Sequence, residues 1–232
     1  MSKVICLIPA RKGSKRLPGK NTADFHGRPL GAWTFDFALS CDAFDKVVLT
    51  TDDEKLEALA PDAVTRLPRP ESIAGDNATL FQVIHHVIED LPCAKDDILV
   101  LTPVTGPLRS KGDLDRALEK FEAHDRSRTV FTVCRNPYAP HLLFTMNEAG
   151  ELETIFDRSE MGTRKQAFPT TYFWNDSYLI DSVENFLKPD RDLYGANPVG
   201  VDVPPERSAP IDHPFDLWLA SQLFDPDSYL RD

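Results

Sequence analysis

Residues 4–21 read VICLIPARKGSKRLPGKN, and this stretch decides the fold. Val4–Ile8 is a short apolar run rich in β-branched residues and closed by Pro9, which predicts a buried strand. The next helical pattern opens only at Pro29 and continues through Trp33. Connections from strand to helix usually have roughly two to six residues. The connection here is much longer, which indicates that it has a function.

The long connection combines glycines with cations. Gly13, Gly19 and Gly27 let backbone amides approach an anion closely, and five Lys and Arg side chains lie between positions 11 and 20. Successive amides can hold phosphate oxygens while Lys neutralises their charge. In a doubly wound sheet, this connection also lies at the carboxyl end of a strand, where ligands bind. A kinase-type phosphate loop does not fit, because five residues separate Gly13 from Gly19 and Asn21 follows Lys20.

The rest of the chain alternates strand and helix patterns until about residue 134. The predicted strands are Lys46–Thr50, Ala63–Leu67, Asp97–Leu101, Thr129–Cys134 and, later, Asn197–Val203. The predicted helices are Glu54–Ala60, Thr79–Leu91, Ser110–His124 and Pro214–Phe224. Ser110 is the expected N-cap of its helix, with Asp113 in the capping-box position. This alternation predicts an α/β fold, a Rossmann-like and mostly parallel sheet covered on both faces.

The alternation stops after residue 135. Tyr138–Phe156 reads as two extended segments around Asn147–Gly150, which is a hairpin signal. Thr171–Asp181 follows as an alternating, aromatic-rich strand. We interpret residues 136–172 as a small β-rich arm that pairs with a second subunit and borders the substrate. A flap on the same subunit is the alternative.

Composition and charge narrow the partners. The 232 residues have ordinary globular composition, which predicts one domain over residues 1–232. The net charge of −11 argues against a nucleic-acid partner. Residues 1–30 carry seven Lys and Arg against one Asp, a net +6, so the other 202 residues carry −17. A local cationic patch on an acidic protein predicts a small anionic ligand, with a solvated basic loop as the alternative.

The cysteines and the hydropathy pattern predict a cytoplasmic protein without a membrane span. Cys6, Cys41, Cys93 and Cys134 form no Cys-x-x-Cys pair and have no His at metal-binding spacing. They are therefore expected to be thiols in a reducing compartment. The sequence has no apolar run of about 18 residues and no secretory signal pattern.

The opening motif resembles a known family. Residues 8–15, IPARKGSK, followed by Lys20-Asn21 and residues 27–30, GRPL, closely resemble the start of the acylneuraminate cytidylyltransferases. These enzymes include the synthetases of CMP-sialic acid and of other CMP-nonulosonic acids. Weaker matches continue along nearly the whole chain, at residues 49–54, Arg69-Pro70, Asp76, Thr79, Pro107–Arg109, Arg164, Gln166, Pro169, Asn175 and Ile211-Asp212. The resemblance implies the nucleotide-diphospho-sugar transferase fold and transfer of a nucleotide from CTP to an acidic nine-carbon sugar.

The resemblance also implies the nucleotide site. Its residues would be Ala10, Arg11, Gly13, Ser14, Lys15, Lys20, Asn21, Arg69 and Thr79. Lys15 is the expected main contact to the transition state, with Arg11 and Lys20 as further cations, because negative charge builds on the α-phosphate and on the leaving pyrophosphate. Arg69 would bind O2 and N3 of cytosine, with a surface turn as the alternative. Thr79 equally fits a helix N-cap.

A divalent cation, Mg²⁺ or Mn²⁺, is the implied cofactor, because carboxylate oxygens hold such ions beside phosphates. The family places two aspartates two residues apart near the C-terminus. Here Asp212 matches the second and Pro210 stands at the first. Asp212 is therefore the implied metal ligand and fourth catalytic residue, and an N-cap of the final helix is its alternative role.

The sugar side departs from the family pattern. Relatives typically read QPTSPLR where residues 102–109 read TPVTGPLR, and NGAIY where residues 175–179 read NDSYL. The sugar-binding residues implied by the resemblance are Thr102, Thr105, Arg109, Arg164, Gln166 and Asn175. Arg164 would suit a carboxylate. The substitutions predict a nonulosonic acid other than N-acetylneuraminate.

Two further hypotheses remain open. One is a cytidylyltransferase for the eight-carbon acid Kdo, which Arg16–Lys20 (RLPGK) also resembles. The other is a non-catalytic nucleotide-binding protein, suggested by Pro210 and Gly106. It predicts CTP binding without release of pyrophosphate.

Overall fold

The computed structural model of the chain describes residues 2–155 and 168–230. Its centre is a seven-stranded sheet of order β11-β7-β10-β6-β1-β4-β5. These strands are β1 (Val4–Ala10), β4 (Lys46–Thr51), β5 (Thr65–Pro68), β6 (Ile98–Leu101), β7 (Val130–Arg135), β10 (Tyr172–Ser182) and β11 (Val199–Asp202). All neighbours pair in parallel except β10, which runs antiparallel to β6 and β7. The short strands β2 (Asp24–Phe25) and β3 (Arg28–Pro29) form a separate two-stranded sheet. The predicted α/β class and mostly parallel sheet are confirmed.

Six helices pack against this sheet in the described part of the chain. They are α1 (Leu30–Ser40), α2 (Glu54–Leu59), α3 (Leu80–Asp90), α4 (Lys111–Ala123), α5 (Val183–Phe186) and α6 (Pro214–Leu223). Each predicted helix is present within one residue of its expected ends. The third strand begins at Thr65 instead of Ala63, because a turn occupies residues 62–63 before it.

The two faces of β1 show why the sheet is covered on both sides. Successive strand residues point to opposite faces. Cys6 and Ile8 belong to the core that includes α1 and α4, whereas Ile5 and Leu7 belong to the core that includes α3 and α5. A strand that is buried on both faces reads as a continuous apolar run rather than as an alternating one. This explains the composition of Val4–Ile8.

The helix starts follow the sequence closely, with one correction. Ser110 caps α4 by accepting a hydrogen bond from the amide of Asp113 at 3.2 Å. The reciprocal hydrogen bond of a capping box, from the Ser110 amide to the Asp113 carboxylate, does not form, because that carboxylate binds Arg116 and Arg207 instead. A full capping box occurs at α3, between Thr79 and Gln82.

The predicted hairpin is present as β8 (Phe144–Met146) and β9 (Leu152–Thr154), which pair antiparallel. Its turn includes Gly150, at a φ of 83° that glycine adopts without strain. Several large apolar side chains in and beside this hairpin are exposed, namely Tyr138, Leu142, Leu143, Phe144, Met146, Leu152, Ile155 and Tyr172. The pairing of this arm with a second subunit stays a prediction.

The state of the cysteines and the length of the helices can be compared with the expectations of free thiols and of no membrane span. Cys6, Cys41 and Cys134 are buried free thiols, and Cys93 is partly exposed. Within the described ranges, no helix combines the length and the apolar character needed to cross a bilayer.

Candidate active site

A cavity of about 450 Å³ opens at the carboxyl ends of β1 and β6. β4 and β6 lie on opposite sides of β1, and such a switch in strand order leaves a crevice beyond the strand ends. The residues around the cavity are Pro9, Ala10, Arg11, Ser14, Lys15, Arg16, Lys20, Asn21, Pro103, Val104, Thr105 and Asp212. Most of the predicted phosphate-binding residues therefore lie together.

The long connection is held in place by Asn21. Asn21 lies in a short 3-10 turn, Lys20–Thr22, whose N-cap is Gly19 at a φ of 69°. The Asn21 Nδ2 donates to the Arg11 carbonyl at 2.9 Å and to the Asp53 carboxylate at 3.2 Å. The loop therefore returns to its own start, and its cations face one space.

Four cations and two aspartates face each other across this space. Arg11 and Lys15 contact the Asp76 carboxylate at 2.9 Å and 2.5 Å. Arg16 and Lys20 contact the Asp212 carboxylate at 3.0 Å and 3.1 Å. The two carboxylates thus partly neutralise four side chains whose positive charge would suit phosphate oxygens.

These ion pairs differ in how firmly they are held. The Lys15 side chain is 80% exposed, and the hydrogen bond from it holds the pKa of the exposed Asp76 carboxyl below its usual value. The Lys20 side chain is only 12% exposed, and its Nζ also donates to the carbonyl of Ile211 at 2.9 Å. Lys20 is therefore a fixed member of the cavity wall, whereas Lys15 is free to move towards a ligand.

Arg69 lies beside this wall but outside the cavity lining. Its Nη2 donates to the Thr50 carbonyl at 3.1 Å, and its buried Nε has no hydrogen-bond partner within residues 2–155 and 168–230. Burial lowers the pKa of Arg69 to about 10. The buried Nε distinguishes Arg69 from a residue in a solvated surface turn, the alternative to a cytosine contact.

Two predicted nucleotide contacts lie away from the cavity wall. Thr79 is the N-cap of α3, as the alternative held, and its Oγ1 accepts from the amide of Gln82 at 3.2 Å. Gly13 is exposed, and an added Cβ there would meet nothing within 4 Å. Only the approach of a ligand would require glycine at this position.

Three of the predicted sugar contacts are buried in the protein instead. Thr102 is fully buried and donates to the Val100 carbonyl at 3.3 Å. Arg109 is 2% exposed and donates to Thr34 Oγ1 at 3.1 Å and to the Pro103 carbonyl. Asn175 donates to Ser208 Oγ at 3.0 Å. Most of their polar groups are paired internally, although Arg109 Nε has no hydrogen-bond partner among the described residues. These three residues therefore support the cavity wall from inside the protein.

The remaining predicted residues have mixed outcomes. Thr105 lines the cavity, as expected for a ligand contact. Arg164 and Gln166 lie outside the described residues. Asp212 also lines the cavity, and the N-cap of α6 is His213 rather than Asp212.

Asp212 has one property of a metal ligand. Mg²⁺ usually keeps several waters and binds one or two carboxylates together with substrate phosphates. In the described part of the chain, no group of three or more His, Cys, Asp or Glu side chains gathers to hold a metal ion. A single carboxylate beside a phosphate-binding cavity still fits such an ion.

The sequence reasoning missed two features of the site. Arg16 was counted in the charge of the loop but not assigned to the site, although it lines the cavity. Asp176 stands behind the wall, where its Oδ2 accepts a hydrogen bond from Thr105 Oγ1 at 3.0 Å. The sequence marks Asp176 only as part of the NDSYL departure from the family pattern, because its contact with Thr105 joins segments 71 residues apart.

The sheet, the switch point and the cationic loop define a nucleotide-binding α/β protein of the nucleotidyltransferase type. A family model described as cytidylyltransferase matches residues 5–187. The chain belongs to the cytidylyltransferase family.

Similar proteins support this placement. Over 81% of this chain and 82% of the relative, the sequence is 31% identical to the pseudaminic acid cytidylyltransferase of Campylobacter jejuni. It is 28% identical to the N-acylneuraminate cytidylyltransferase of Escherichia coli over 94% of this chain, which corresponds to 51% of that longer protein. The resemblance to acylneuraminate cytidylyltransferases is therefore confirmed.

Solved structures agree on the fold. A CMP-2-keto-3-deoxy-manno-octonic acid synthetase complexed with CTP superposes with a TM-score of 0.67 at 17% identity, over 96% of this chain and 98% of that one. The 2-C-methyl-D-erythritol 4-phosphate cytidylyltransferase of Francisella tularensis superposes with a TM-score of 0.70 at 14% identity, over 96% and 100% of the chains.

Proposed function

We propose that this protein transfers the cytidylyl group of CTP to the anomeric hydroxyl of a nonulosonic acid and releases pyrophosphate. The observation that carries the proposal is the convergence of Arg11, Lys15, Arg16 and Lys20 on one cavity. Two of the relatives at 28–31% identity are named for pseudaminic acid and N-acylneuraminate. The substrate is therefore expected within this class of acidic sugars.

The proposed role of the cations follows from the charge that develops during the reaction. The hydroxyl oxygen forms a bond to the α-phosphorus and gives up its proton to water, the bond to the bridging oxygen breaks, and pyrophosphate leaves with the electron pair. Negative charge therefore grows on the α-phosphate oxygens and on the leaving group. Cations that are positioned in advance stabilise that charge without reorganisation. Lys15 is the proposed main contact because its exposed ammonium can turn from Asp76 to phosphate.

Asp212 is the proposed carboxylate for Mg²⁺ or Mn²⁺. When bound, the ion would neutralise phosphate oxygens and stabilise the leaving pyrophosphate. Arg16, which contacts Asp212 and is 58% exposed, would then be released towards the phosphates, whereas Lys20 would face them from its fixed place in the wall. Arg69 is proposed for the cytosine because its buried Nε lacks a hydrogen-bond partner in the part of the chain that the structure describes.

A homodimer is part of the same proposal. The exposed apolar side chains of the hairpin arm, such as Phe144 and Met146, support it, because clusters of this kind commonly mark interfaces. Arg164 and Gln166 would then be contributed near the sugar. Sedimentation velocity at micromolar concentration is expected to give a dimer, and a monomer would exclude the shared site.

A substrate panel tests the function directly. CTP labelled in its γ-phosphate would be incubated with Mg²⁺ and with N-acetylneuraminate, pseudaminic acid or Kdo, and released pyrophosphate would be measured. We expect release with a nonulosonic acid, and a preference for one other than N-acetylneuraminate. Release with Kdo alone would favour the eight-carbon alternative. Binding of CTP without release in any mixture would favour a non-catalytic protein.

A further inference from the structure

Asp176 is held in an unusual position by two features of the backbone. Its φ of 58° lies in the left-handed region, which Asp adopts more readily than most residues. The register of β10 shifts between Trp174 and Leu179, so residue 176 lies where the strand departs from its ladder. Such irregularities redirect side chains and are common beside active sites.

Gly106 makes room for this arrangement. A Cβ added at Gly106 would lie 2.4 Å from the Asp176 carbonyl oxygen and 2.9 Å from its carbonyl carbon. Any larger residue at position 106 would therefore displace the backbone of residue 176. Two segments that are distant in sequence thus fit together closely at the base of the cavity.

The Asp176 carboxylate is one side chain away from the cavity. Its Oδ2 accepts from Thr105 Oγ1 at 3.0 Å, and Thr105 lines the cavity. The Thr105 carbonyl in turn accepts from the amide of Ile211 at 2.9 Å, directly before Asp212. The other oxygen of Asp176, Oδ1, makes no hydrogen bond to residues in the ranges 2–155 and 168–230.

Thr105 Oγ1 is the one hydrogen-bond donor to the Asp176 carboxylate within the described residues. Burial raises the pKa of Asp176, and the hydrogen bond from Thr105 opposes that effect. The charge of Asp212 raises the pKa further, whereas the charges of Lys20 and Arg109 lower it. A largely buried carboxylate with one neutral hydrogen bond gains free energy from any further donor.

We propose that Asp176 is a substrate-binding residue whose Oδ1 accepts a hydrogen bond from a hydroxyl or amide N–H of the acceptor sugar. The inference rests on the proposed function. The cations of the loop would hold the triphosphate, so the acceptor approaches along the uncharged wall of Pro103, Val104 and Thr105. An ionised carboxylate accepts hydrogen bonds only and repels the carboxylate of a sugar acid. Asp176 thus orients the acceptor, with its donors inward and its own carboxylate towards the cations.

Two substitutions test this role, with a matched control. Asp176→Ala removes the acceptor oxygen, and Asp176→Asn keeps the size while removing the charge. Asp190→Ala is the control, because Asp190 is exposed and has nearly the same backbone angle, a φ of 56°. For each protein, the KM and kcat for N-acetylneuraminate, pseudaminic acid and Kdo would come from pyrophosphate release. Calorimetry would give the Kd for CTP, and thermal unfolding would give Tm.

The expected result separates the acceptor from the nucleotide. A hydrogen bond to a charged group contributes roughly a tenfold effect or more. Asp176→Ala should raise the KM of the accepted sugar at least about tenfold and Asp176→Asn less, while the Kd for CTP changes less than about twofold. Asp190→Ala should change neither constant.

The opposite outcomes are distinguishable. An unchanged acceptor KM in both Asp176 variants would overturn the inference and leave the proposed function intact. The same holds if the KM for the acceptor and the Kd for CTP change together with a fall in Tm, since Asp176 would then only brace the wall. If the wild-type protein releases no pyrophosphate with any of the three acids, the proposed function fails, and the inference fails with it.

Discussion

Two groups of ion pairs in this molecule have similar composition but different burial. In α4, the Asp113 carboxylate is 1% exposed and binds Arg207 through two hydrogen bonds of 2.9 Å, with Arg116 as a further partner. At the cavity, Asp76 and Asp212 are 46% and 41% exposed and bind four cations. One group is enclosed and fixed, and the other is open.

The difference in burial separates a structural role from a functional one. A buried carboxylate that loses its partners pays for desolvation without compensation, so its partners cannot be exchanged. Exposed ion pairs contribute little to stability and exchange partners readily. Arg11, Lys15 and Arg16 can therefore move from carboxylate to phosphate at small cost, whereas the largely buried Lys20 stays in the wall. Substitutions in the two groups should accordingly affect different measurements.

The largest expected effect is the loss of catalysis in Lys15→Ala. Removing one positioned group that stabilises transition-state charge typically lowers kcat by about 10²–10³. The free energy of unfolding should barely change, because the Lys15 side chain is 80% exposed. Pyrophosphate release and thermal unfolding would be measured on the same preparation.

The loop supplies a control for Lys15. Lys12 is exposed and lies outside the cavity lining, and its backbone amide binds the Asp52 carboxylate at 2.8 Å. Lys12→Ala should change kcat less than about threefold, because its charge is distant from the reacting atoms and screened. Equal losses in both variants would mean that the loop acts through its total charge and not through Lys15.

The second largest effect is expected on stability and not on catalysis. Asp113→Ala should lower the free energy of unfolding by about 1–3 kcal/mol, because hydrogen bonds from two arginines to a buried carboxylate are lost. The arginines are 40% and 49% exposed, so water can solvate them afterwards. The kcat per folded molecule should stay unchanged. A large loss of kcat with unchanged stability would contradict the structural role.

The pH dependence of the same variant sharpens this test. Burial alone would raise the pKa of Asp113, but hydrogen bonds from Arg207 and Arg116 outweigh it and leave the pKa lowered. Its contribution to stability is therefore present above the unfolded pKa of about 4 and is lost as the pH falls through the folded pKa. Urea unfolding between pH 7 and pH 3 should show a smaller decrease in stability for Asp113→Ala than for the wild-type protein.

The same contrast explains how much could be predicted from sequence. The strands, the helices and the cationic loop follow from local patterns, and Val4–Ile8 with its long connection is sufficient to place the cavity. Arg109 and Asp113 were assigned incompletely because their partners, Thr34 and Arg207, are 75 and 94 residues away. The sequence pattern at Asp176 also could not reveal its contact with Gly106. Local patterns therefore identify the cations of the site, whereas the buried partners that fix its walls require the structure.

The smallest expected effect tests whether Asp76 occupies the place of a phosphate. Its carboxylate contacts both Arg11 and Lys15, so CTP must displace it before these cations reach the triphosphate. Asp76→Asn weakens the competing contact and should tighten the Kd for CTP by about two- to fivefold, within the range measured for exposed ion pairs. Asp62→Asn removes the same charge from a fully exposed site outside the cavity and should leave the Kd unchanged. Calorimetry at two salt concentrations would measure both, and the difference between them should shrink at high salt. Weaker binding of CTP in Asp76→Asn would mean that Asp76 holds the cations in position for the ligand. The exposed ion pairs at the cavity would then have a structural role, as the ion pairs of Asp113 do.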